Sequence, residues 1–403
     1  MKLQKFARDH WAIILVAVCF LISPILSLPV TFCVFLKERS KGKQLACAAF
    51  ISLAMAYLAF HIVPLESDDL SRHYWSMGVL QEIPFKDIFT ASYPGVYLNT
   101  LIMYLIGKTG YNGLYPALFV GVGYFLILHN AIRLKIHDHG FLHGALMILF
   151  VFFCVNCRDF ISGLRNYFTF IICGYLFVSY KHFGLNKWVC FGLMALMGLI
   201  HTSVYIIMAV FLVSELVTGK KLKRLFLVAE CLFLPAAILG CKLLLMIPAL
   251  SQSVFVNKIY TYFTTPNIIN FNVYLFELGI LVLAVLCHLI NKRFPDEEYE
   301  KMENFFDYFL MFIVAVCPIM LLLFRMEFLL IPLMPIILMR TYRILQEGLL
   351  LPKIGWIHKH RLAEKCFSFG LMLFVAAGVL MFAASLRAYP WSFDVNNIFF
   401  RFL

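Results

Sequence analysis

Long apolar stretches make up nearly all of this 403-residue chain and constrain its fold more than any other feature. Its mean hydropathy is +0.87 and 14% of its residues are charged, whereas soluble globular domains carry roughly 25% charged residues. An apolar stretch of about 20 residues is long enough to cross a bilayer as a helix, which satisfies its own backbone hydrogen bonds in lipid. The composition therefore predicts an all-α, polytopic integral membrane protein.

Eleven stretches are candidate transmembrane helices, which predicts about 11 to 12 crossings. They cover residues 11–36, 45–63, 112–132, 141–157, 163–180, 187–217, 225–247, 272–290, 305–324, 326–345 and 366–386. No segment between them is long enough for a separate soluble domain. We therefore interpret residues 1–403 as one membrane domain, with external loops at 64–111 and 248–271 and a cytoplasmic loop at 340–365.

Lysine and arginine are unevenly divided between the connecting segments. Of the 34 Lys and Arg residues, 21 lie in segments 37–44, 133–140, 181–187, 218–224, 291–304 and 340–365. Another 9 lie in segments 64–111, 158–165, 248–271, Arg325 and 387–403. The positive-inside rule places the first group in the cytoplasm and the second group outside. The net charge of +12 thus follows membrane topology and does not indicate nucleic acid.

Three stretches are expected to depart from simple spanning helices. The first candidate span contains Pro24 and Pro29, so it is expected to kink or turn back, and its topology stays open. Residues 187–217 are too short for two full spans but fit two short helices that turn at residues 199–203. The apolar run 96–106 is too short to cross and predicts a re-entrant or interfacial helix, acting either as a substrate guide or as a packing loop.

An acidic segment in the first external loop carries candidate catalytic residues. Asp68 and Asp69 come at the start of a predicted helix over residues 70–81, with Arg72 and Tyr74 in its first turns. A carboxylate here is interpreted either as a general base or sugar-hydroxyl acceptor, or as a helix cap that pairs with Arg72. The ring of Tyr74 suits contact with a sugar. Both interpretations of the aspartates stay open.

Arginines at the external ends of predicted spans are candidate anion ligands. Arg158 and Arg165 flank the start of a hydrophobic helix, and a helix N-terminus favours anions. The guanidinium group matches phosphate oxygens in shape and charge. Arg325 interrupts an apolar region, where either a tight external turn holds it or it reaches inward to an anion. The alternatives for Arg158 and Arg165 are snorkelling to the membrane interface or pairing with Asp159.

His201 lies in an otherwise apolar run and has a pKa range that suits proton transfer. The alternative is a buried histidine that is satisfied by hydrogen bonds. No histidine or carboxylate spacing indicates a metal site, and no glycine-rich nucleotide loop occurs. The sequence therefore predicts no metal and no cofactor.

The order of these features resembles the EpsG-like, or Wzy-type, polymerases of bacterial surface polysaccharides. The resemblance spans residues 45–345 and rests on Asp68 to Tyr74, Tyr93-Pro94-Gly95, Ser162-Gly163-Leu164-Arg165-Asn166, His201-Thr202-Ser203, and Arg325 with Pro332 and Pro335. The acidic segment reads Asp-Asp-Leu-Ser-Arg-His-Tyr where the family more usually has Asp-Tyr-x-x-Tyr. This departure leaves the role of each aspartate open.

The resemblance implies a multi-pass glycosyltransferase of the bacterial inner membrane, similar to lipid-phosphate-dependent (GT-C-like) enzymes. It implies a metal-independent polymerase that joins undecaprenyl-diphosphate-linked oligosaccharide repeat units on the external face, as in O-antigen, capsule or exopolysaccharide synthesis. The candidate partners are membrane lipid and a chain-length regulator and flippase of the same pathway. The expected catalytic residues are Asp68, Asp69 and His201, and the expected substrate-binding residues are Arg72, Tyr74, Arg158, Arg165 and Arg325.

Three other functions compete with this interpretation. An O-antigen-type ligase shares the lipid-diphosphate chemistry but uses a different acceptor. A polysaccharide acyltransferase would need its key residues on the cytoplasmic side, where the sequence shows basic loops. A lipid-linked oligosaccharide flippase would place charges deep within spans, and Glu230 and Lys242 are the two deep charges that we identify from the sequence.

Overall fold

In a computed structural model, the regular secondary structure of the described residues is entirely helical. The described residues are 2–66, 68–90, 95–155, 157–247, 260–261, 271–294, 296–349 and 359–388, and no strand occurs among them. The prediction of an all-α protein is confirmed for this part of the chain.

The chain divides into two compact units. The first comprises residues 1–205 and 331–403, and the second comprises residues 206–330. The first unit holds α1 (Lys2–Ile22), α2 (Pro24–Lys37), α3 (Lys41–Phe60), α4 (Asp69–Glu82), α5 (Tyr97–Gly107), α6 (Leu114–Arg133), α7 (Phe141–Cys154), α8 (Cys157–Ser162), α9 (Leu164–Phe183), α10 (Lys187–Gly198), α17 (Met334–Gln346) and α18 (Lys359–Ala388). The second unit holds α11 (Val204–Leu216), which begins at the boundary, α12 (Lys220–Cys231), α13 (Phe233–Leu245), α14 (Phe271–Arg293), α15 (Glu297–Val316) and α16 (Met320–Leu330).

Five helical segments are long and apolar enough to cross a membrane. They are Lys41–Phe60, Leu114–Arg133, Phe271–Arg293, Leu322–Gln346 and Leu362–Arg387. The pair Lys220–Cys231 and Pro235–Leu245 makes a sixth candidate, bent by 60° at its break. Several shorter apolar helices accompany them. These helices are those of a multi-pass membrane protein, whereas the single membrane domain over residues 1–403 stays a prediction.

The predicted turn at residues 199–203 and the short helix in the run 96–106 are confirmed, the break in the first span is confirmed in part, and the re-entrant or interfacial placement of the short helix stays a prediction. Helix α10 ends at Gly198 and α11 begins at Val204, so the chain turns within residues 199–203 as expected. The apolar run 96–106 forms the short helix α5. The first candidate span is interrupted at Ser23, whose hydroxyl oxygen accepts a hydrogen bond from the Leu26 amide at 3.4 Å. The chain does not break again at Pro29, which lies inside α2.

The alternative that a tight external turn holds Arg325 is wrong. Arg325 lies within α16, and the chain leaves the helical conformation at residues 317–319 instead. Pro318 explains this position, because proline lacks an amide hydrogen and disfavours the helical conformation of the residue before it. The boundary between the candidate spans 305–324 and 326–345 is corrected accordingly.

Helices α3 and α6 pack against each other in opposite directions and carry part of the core of the first unit. Gly113, just before α6, contacts Phe60 at the end of α3. Two turns further on, a Cβ added at Gly121 would lie only 2.9 Å from the Cβ of Ala56. The small residues permit this close approach, which fixes the start of α6 beside the end of α3.

Candidate functional site

Helices α4 and α5 lie side by side and point in the same direction. At their C-terminal ends, Gln81 Nε2 donates to the Gly107 carbonyl at 2.7 Å. At their N-terminal ends both contact Tyr115, the second residue of α6. The Tyr115 hydroxyl donates to Asn99 Oδ1 at 2.6 Å, and its ring centroid lies 5.4 Å from that of His73. The starts of three helices therefore meet at Tyr115.

The start of α5 is held against the turn between α10 and α11. The backbone amides of Leu98 and Asn99 donate to the Leu199 carbonyl at 3.1 and 3.4 Å. Gly95 has a φ of +87°, and a Cβ added there would lie 3.4 Å from the methyl carbon of Thr202. These contacts place the His201-Thr202-Ser203 segment next to the first external loop.

The same turn contacts the start of α9. The Ser203 hydroxyl lies 3.2 Å from Asn166 Oδ1 and also hydrogen-bonds His201 Nδ1. His201 Nδ1 accepts a further hydrogen bond from the Ser203 amide at 3.2 Å. Because this ring nitrogen is an acceptor, the neutral ring carries its proton on Nε2, a tautomer that is inferred from these contacts.

Arg165 is the second residue of α9, immediately before Asn166, and its carbonyl accepts from the Thr169 hydroxyl at 2.8 Å. Its charge acts on both His73 and Tyr115. Burial, followed by the charges of Arg165 and Arg72, lowers the pKa of His73 to about 3. His73 is therefore neutral at physiological pH, with one ring nitrogen that donates a hydrogen bond and one that accepts.

These contacts join the starts of α4, α5, α6 and α9 to the turn after α10 in one group of polar residues. We call its members the Arg165 cluster: His73, Asn99, Tyr115, Arg165, Asn166, His201 and Ser203. Asn99 is fully buried, and its Nδ2 has no hydrogen-bond partner among the residues that the structure describes. A buried donor without a protein partner is costly and rare in native structures.

The two predicted catalytic aspartates lie where the second interpretation, a helix cap that pairs with Arg72, places them. Asp68 precedes α4, and its carboxylate accepts from the Leu65 amide at 3.2 Å. Asp69 forms an ion pair with Arg72, whose side chain is 73% exposed. Direct pairing across one turn of an exposed helix surface accounts for this geometry without a substrate. The catalytic roles of both aspartates and the binding role of Arg72 stay predictions.

The remaining predicted site residues are distributed as follows. The Tyr74 hydroxyl is buried without a partner among the described residues, and burial raises the pKa of Tyr74 to about 12. Arg158 belongs to α8, but its side chain lies outside what the structure describes, as do Tyr93 and Pro94. Arg325 belongs to the second unit, whereas His201 and Arg165 belong to the first.

Asn99 and Tyr115 were missed by the sequence interpretation. Asn99 is a polar interruption of the apolar run 96–106, which is the signal that points to it. Tyr115 stands at the start of an aromatic-rich span, where nothing in the sequence distinguishes it from a packing residue. Its role follows from its contacts in space.

The second unit contains more deep charge than the sequence interpretation recognised. Glu277 of α14 and Glu327 of α16 are both buried, and their carboxyl groups are near enough to interact electrostatically. The view that Glu230 and Lys242 are the deep charges is therefore wrong as a full account. A single glutamate in a long apolar run changes its mean hydropathy little, which is why hydropathy alone conceals it.

A separate ionic group lies on α12, α14 and α15. We call it the Asp307 cluster, and it comprises Lys223, His288, Lys292, Tyr299 and Asp307. Asp307 accepts from Lys292 Nζ at 2.7 Å and from Lys223, and His288 Nε2 lies 2.9 Å from its Oδ1. His288 Nδ1 is 2.7 Å from the Tyr299 hydroxyl. Every member thus has a partner within the cluster.

Comparison with known proteins returns no match of any kind: no protein-family model, no curated protein and no solved structure is similar to the chain. Among the residues that the structure describes, no group of three or more His, Cys, Asp and Glu residues is placed to hold a metal ion. Metal independence stays a prediction.

Proposed function

We propose that this chain is a glycan polymerase that joins undecaprenyl-diphosphate-linked repeat units on the external face of the bacterial inner membrane. The observation that carries the proposal is the Arg165 cluster. It unites three segments that the sequence assigns to one side of the membrane: the first external loop, the start of α9 and the turn after α10. Such convergence of distant polar residues in an apolar protein is typical of a binding site.

The chemistry of glycan transfer matches the groups in the cluster. A hydroxyl of the acceptor sugar attacks the anomeric carbon of the growing glycan, the bond from that carbon to the phosphate oxygen breaks, and the lipid diphosphate leaves. Arg165 stabilises the negative charge on the leaving diphosphate, a role that a metal often performs elsewhere. The acceptor proton passes to His201 Nδ1 through the Ser203 hydroxyl, which already contacts it.

The finer features of the fold belong to the same proposal. We propose 11 or 12 crossings in a lipid-phosphate-dependent, GT-C-like arrangement, of which the five or six long apolar segments are a part. The polymerase needs no metal and no nucleotide, because cleavage of the sugar–phosphate bond drives the reaction. A flippase that supplies repeat units and a chain-length regulator are its expected partners.

The test is a surface-polysaccharide gel of a strain that lacks this protein, complemented with wild type, Arg165→Ala or Arg165→Lys. We expect Arg165→Ala to lower polymer synthesis at least about a hundredfold, as for loss of a group that stabilises transition-state charge. Arg165→Lys keeps the charge but loses the planar fork, so we expect an intermediate yield.

Arg133→Ala is the matched control, with membrane expression checked by blot for every variant. Arg133 lies at the other end of α6, about 27 Å along the helix from Tyr115, with its guanidinium over the rings of Tyr175 and Phe183. Its loss is expected to leave the polymer ladder intact. A normal ladder in the strain without the protein would overturn the proposal and make the acyltransferase the next candidate, whereas finished polymer left on its lipid carrier would indicate a ligase.

The buried carboxyl groups of the second unit support a flippase as a second candidate. Glu277 and Glu327 bring two buried carboxyl groups together on two apolar helices of this unit. Buried carboxyl groups in membrane-spanning helices are common in proton-coupled transporters. Repeat units that are trapped on the cytoplasmic face in the strain without the protein would favour this candidate over the polymerase.

A further inference from the structure

Asn99 has an unusual hydrogen-bonding state for a fully buried side chain. Its Oδ1 accepts from the Tyr115 hydroxyl at 2.6 Å, and its backbone amide donates to the Leu199 carbonyl at 3.4 Å. Its Nδ2 is the one amide atom without a partner among the described residues. Since Nδ2 is bonded to the same carbon as Oδ1, it lies next to the Tyr115 hydroxyl and hence at the Arg165 cluster.

Packing alone does not explain an asparagine at this position. A leucine or methionine would fill a buried site on an apolar helix without leaving a polar hydrogen unpaired. The Tyr115 hydroxyl orients the amide, and its ring contacts His73, so the donor is held in a fixed direction. A fixed donor without a protein partner is what a site prepared for a ligand requires.

The neighbours of Asn99 indicate an uncharged ligand group. His73 is 7% exposed and neutral, and Tyr115 is fully buried and neutral. Arg165 supplies a positive charge that acts on both His73 and Tyr115. An anion would be drawn to Arg165, whereas a hydroxyl group, which both donates and accepts, suits the neutral amide and imidazole.

We propose that Asn99 Nδ2 donates a hydrogen bond to a sugar hydroxyl of the substrate, so that Asn99 and His73 bind the sugar beside the diphosphate held by Arg165. This inference rests on the proposed function. It assigns recognition of the sugar to the start of α5, the short helix in the first external loop, and recognition of the diphosphate to the start of α9.

The experiment measures binding to the purified full-length protein in lipid nanodiscs. One probe is undecaprenyl diphosphate, and the other is the lipid-linked repeat unit extracted from the strain that lacks this protein. The variants are Asn99→Ala, which removes the amide without adding a charge, and Asn99→Leu, which replaces both polar atoms with an apolar side chain of similar size. The matched control is Asn130→Leu, because Asn130 is an equally buried amide that donates to the Pro332 carbonyl at 2.9 Å.

We expect the wild type to bind the repeat unit more tightly than undecaprenyl diphosphate. Both Asn99 variants should weaken binding of the repeat unit about tenfold, the affinity equivalent of one neutral hydrogen bond, and leave the affinity for undecaprenyl diphosphate unchanged. Asn130→Leu should change neither affinity. Having two Asn99 variants keeps the test decisive if one of them fails to fold, which a melting curve reports.

Three results would overturn the inference. Unchanged affinity for the repeat unit in an Asn99 variant would show that the amide does not contact the sugar. An equal loss for both probes would show that Asn99 merely positions the cluster. A wild-type protein that binds neither probe would remove the proposed function together with the inference, which distinguishes that failure from the other two.

Discussion

The Arg165 cluster and the Asp307 cluster differ in whether their buried polar groups all have partners. In the Asp307 cluster the carboxylate is bound by Lys223, His288 and Lys292. In the Arg165 cluster the Asn99 amide keeps a donor that no described residue accepts. A saturated network holds helices together, whereas an unsaturated one depends on a ligand to complete it. The comparison thus assigns stability to one cluster and binding to the other.

The largest expected effect on stability is at the Asp307 cluster. Asp307→Asn removes the carboxylate that pairs with Lys223 and leaves Lys292 with the more distant Glu303, at 3.8 Å, and we expect the free energy of unfolding to fall by ~3 kcal/mol. This value is at the low end for buried ion pairs because the Lys292 side chain is 41% exposed. Unfolding in detergent measures the loss, and polymer synthesis per folded molecule should stay at the wild-type level.

Glu300→Gln is the control for Asp307→Asn, since Glu300 is exposed on the same helix. It should change the unfolding free energy by less than about 0.5 kcal/mol. A loss of polymer synthesis in Asp307→Asn without a loss of stability would break the comparison, because the saturated cluster would then serve the reaction.

The next effect is a pH dependence of stability that comes from His73. The folded protein holds the pKa of His73 at about 3, whereas the ordinary value is 6.5. Between these two values the His73 imidazole is protonated in the unfolded chain but not in the folded protein. The free energy of unfolding therefore falls as the pH drops from about 6.5 towards 3. At pH 5 the loss amounts to about 2 kcal/mol.

Unfolding measured at pH 7 and pH 5 tests this expectation against His73→Gln, which cannot take up the proton. The variant should lose less stability on acidification than the wild type. An equal loss in both proteins would mean that His73 takes up a proton in the folded state. The conclusion that His73 is neutral in the Arg165 cluster would then be wrong.

Gly95→Ala should produce a smaller loss that is specific to the candidate site. Its φ of +87° disfavours alanine by roughly 1 kcal/mol. Gly184 has a φ of +71° and no atom within 4 Å of an added Cβ, so Gly184→Ala carries similar strain away from the cluster. Both variants should lose similar stability, and Gly95→Ala alone should lower polymer synthesis, because it disturbs the contact with Thr202. Equal synthesis in the two variants would argue against a role for this contact.

The smallest expected effect is that of Tyr74→Phe. Its hydroxyl lacks a partner among the described residues, so its removal should leave stability unchanged or raise it by less than about 1 kcal/mol. Tyr308→Phe is the control, since the Tyr308 hydroxyl donates to the Val217 carbonyl at 3.1 Å and its loss should destabilise the protein. If Tyr74 binds substrate, polymer synthesis falls in Tyr74→Phe without a loss of stability, and unchanged synthesis would remove it from the site.

Local sequence signals predicted several elements correctly. The helix over residues 70–81 corresponds to α4, and the break at residues 199–203 separates α10 from α11. Such features depend on nearby residues, namely caps, glycines and the length of an apolar run. The position of Arg325 failed, because a charge in an apolar region was taken as a helix end when Pro318 set the boundary.

Only some residues of the Arg165 cluster could be predicted from the sequence. Arg165 and His201 stand out as polar residues in apolar surroundings, which sequence reasoning detects. The contact of Tyr115 with His73 joins residues 42 positions apart in the numbering, from 73 to 115. Nothing local specifies such a contact, and the two aspartates that looked most catalytic turn out to have partners in their own segment.

The sequence by itself determined that this protein is helical, apolar and multi-pass, because the bilayer imposes those properties on any chain with such stretches. It also placed Asp68, Asp69 and Arg165 at helix starts, whereas it misplaced Arg325. Only the tertiary structure decided which of them meet, since helix packing brings distant positions together. Packing within one unit completes the hydrogen bonds of the Asp307 cluster, and packing within the other leaves Asn99 Nδ2 of the Arg165 cluster without a partner among the described residues.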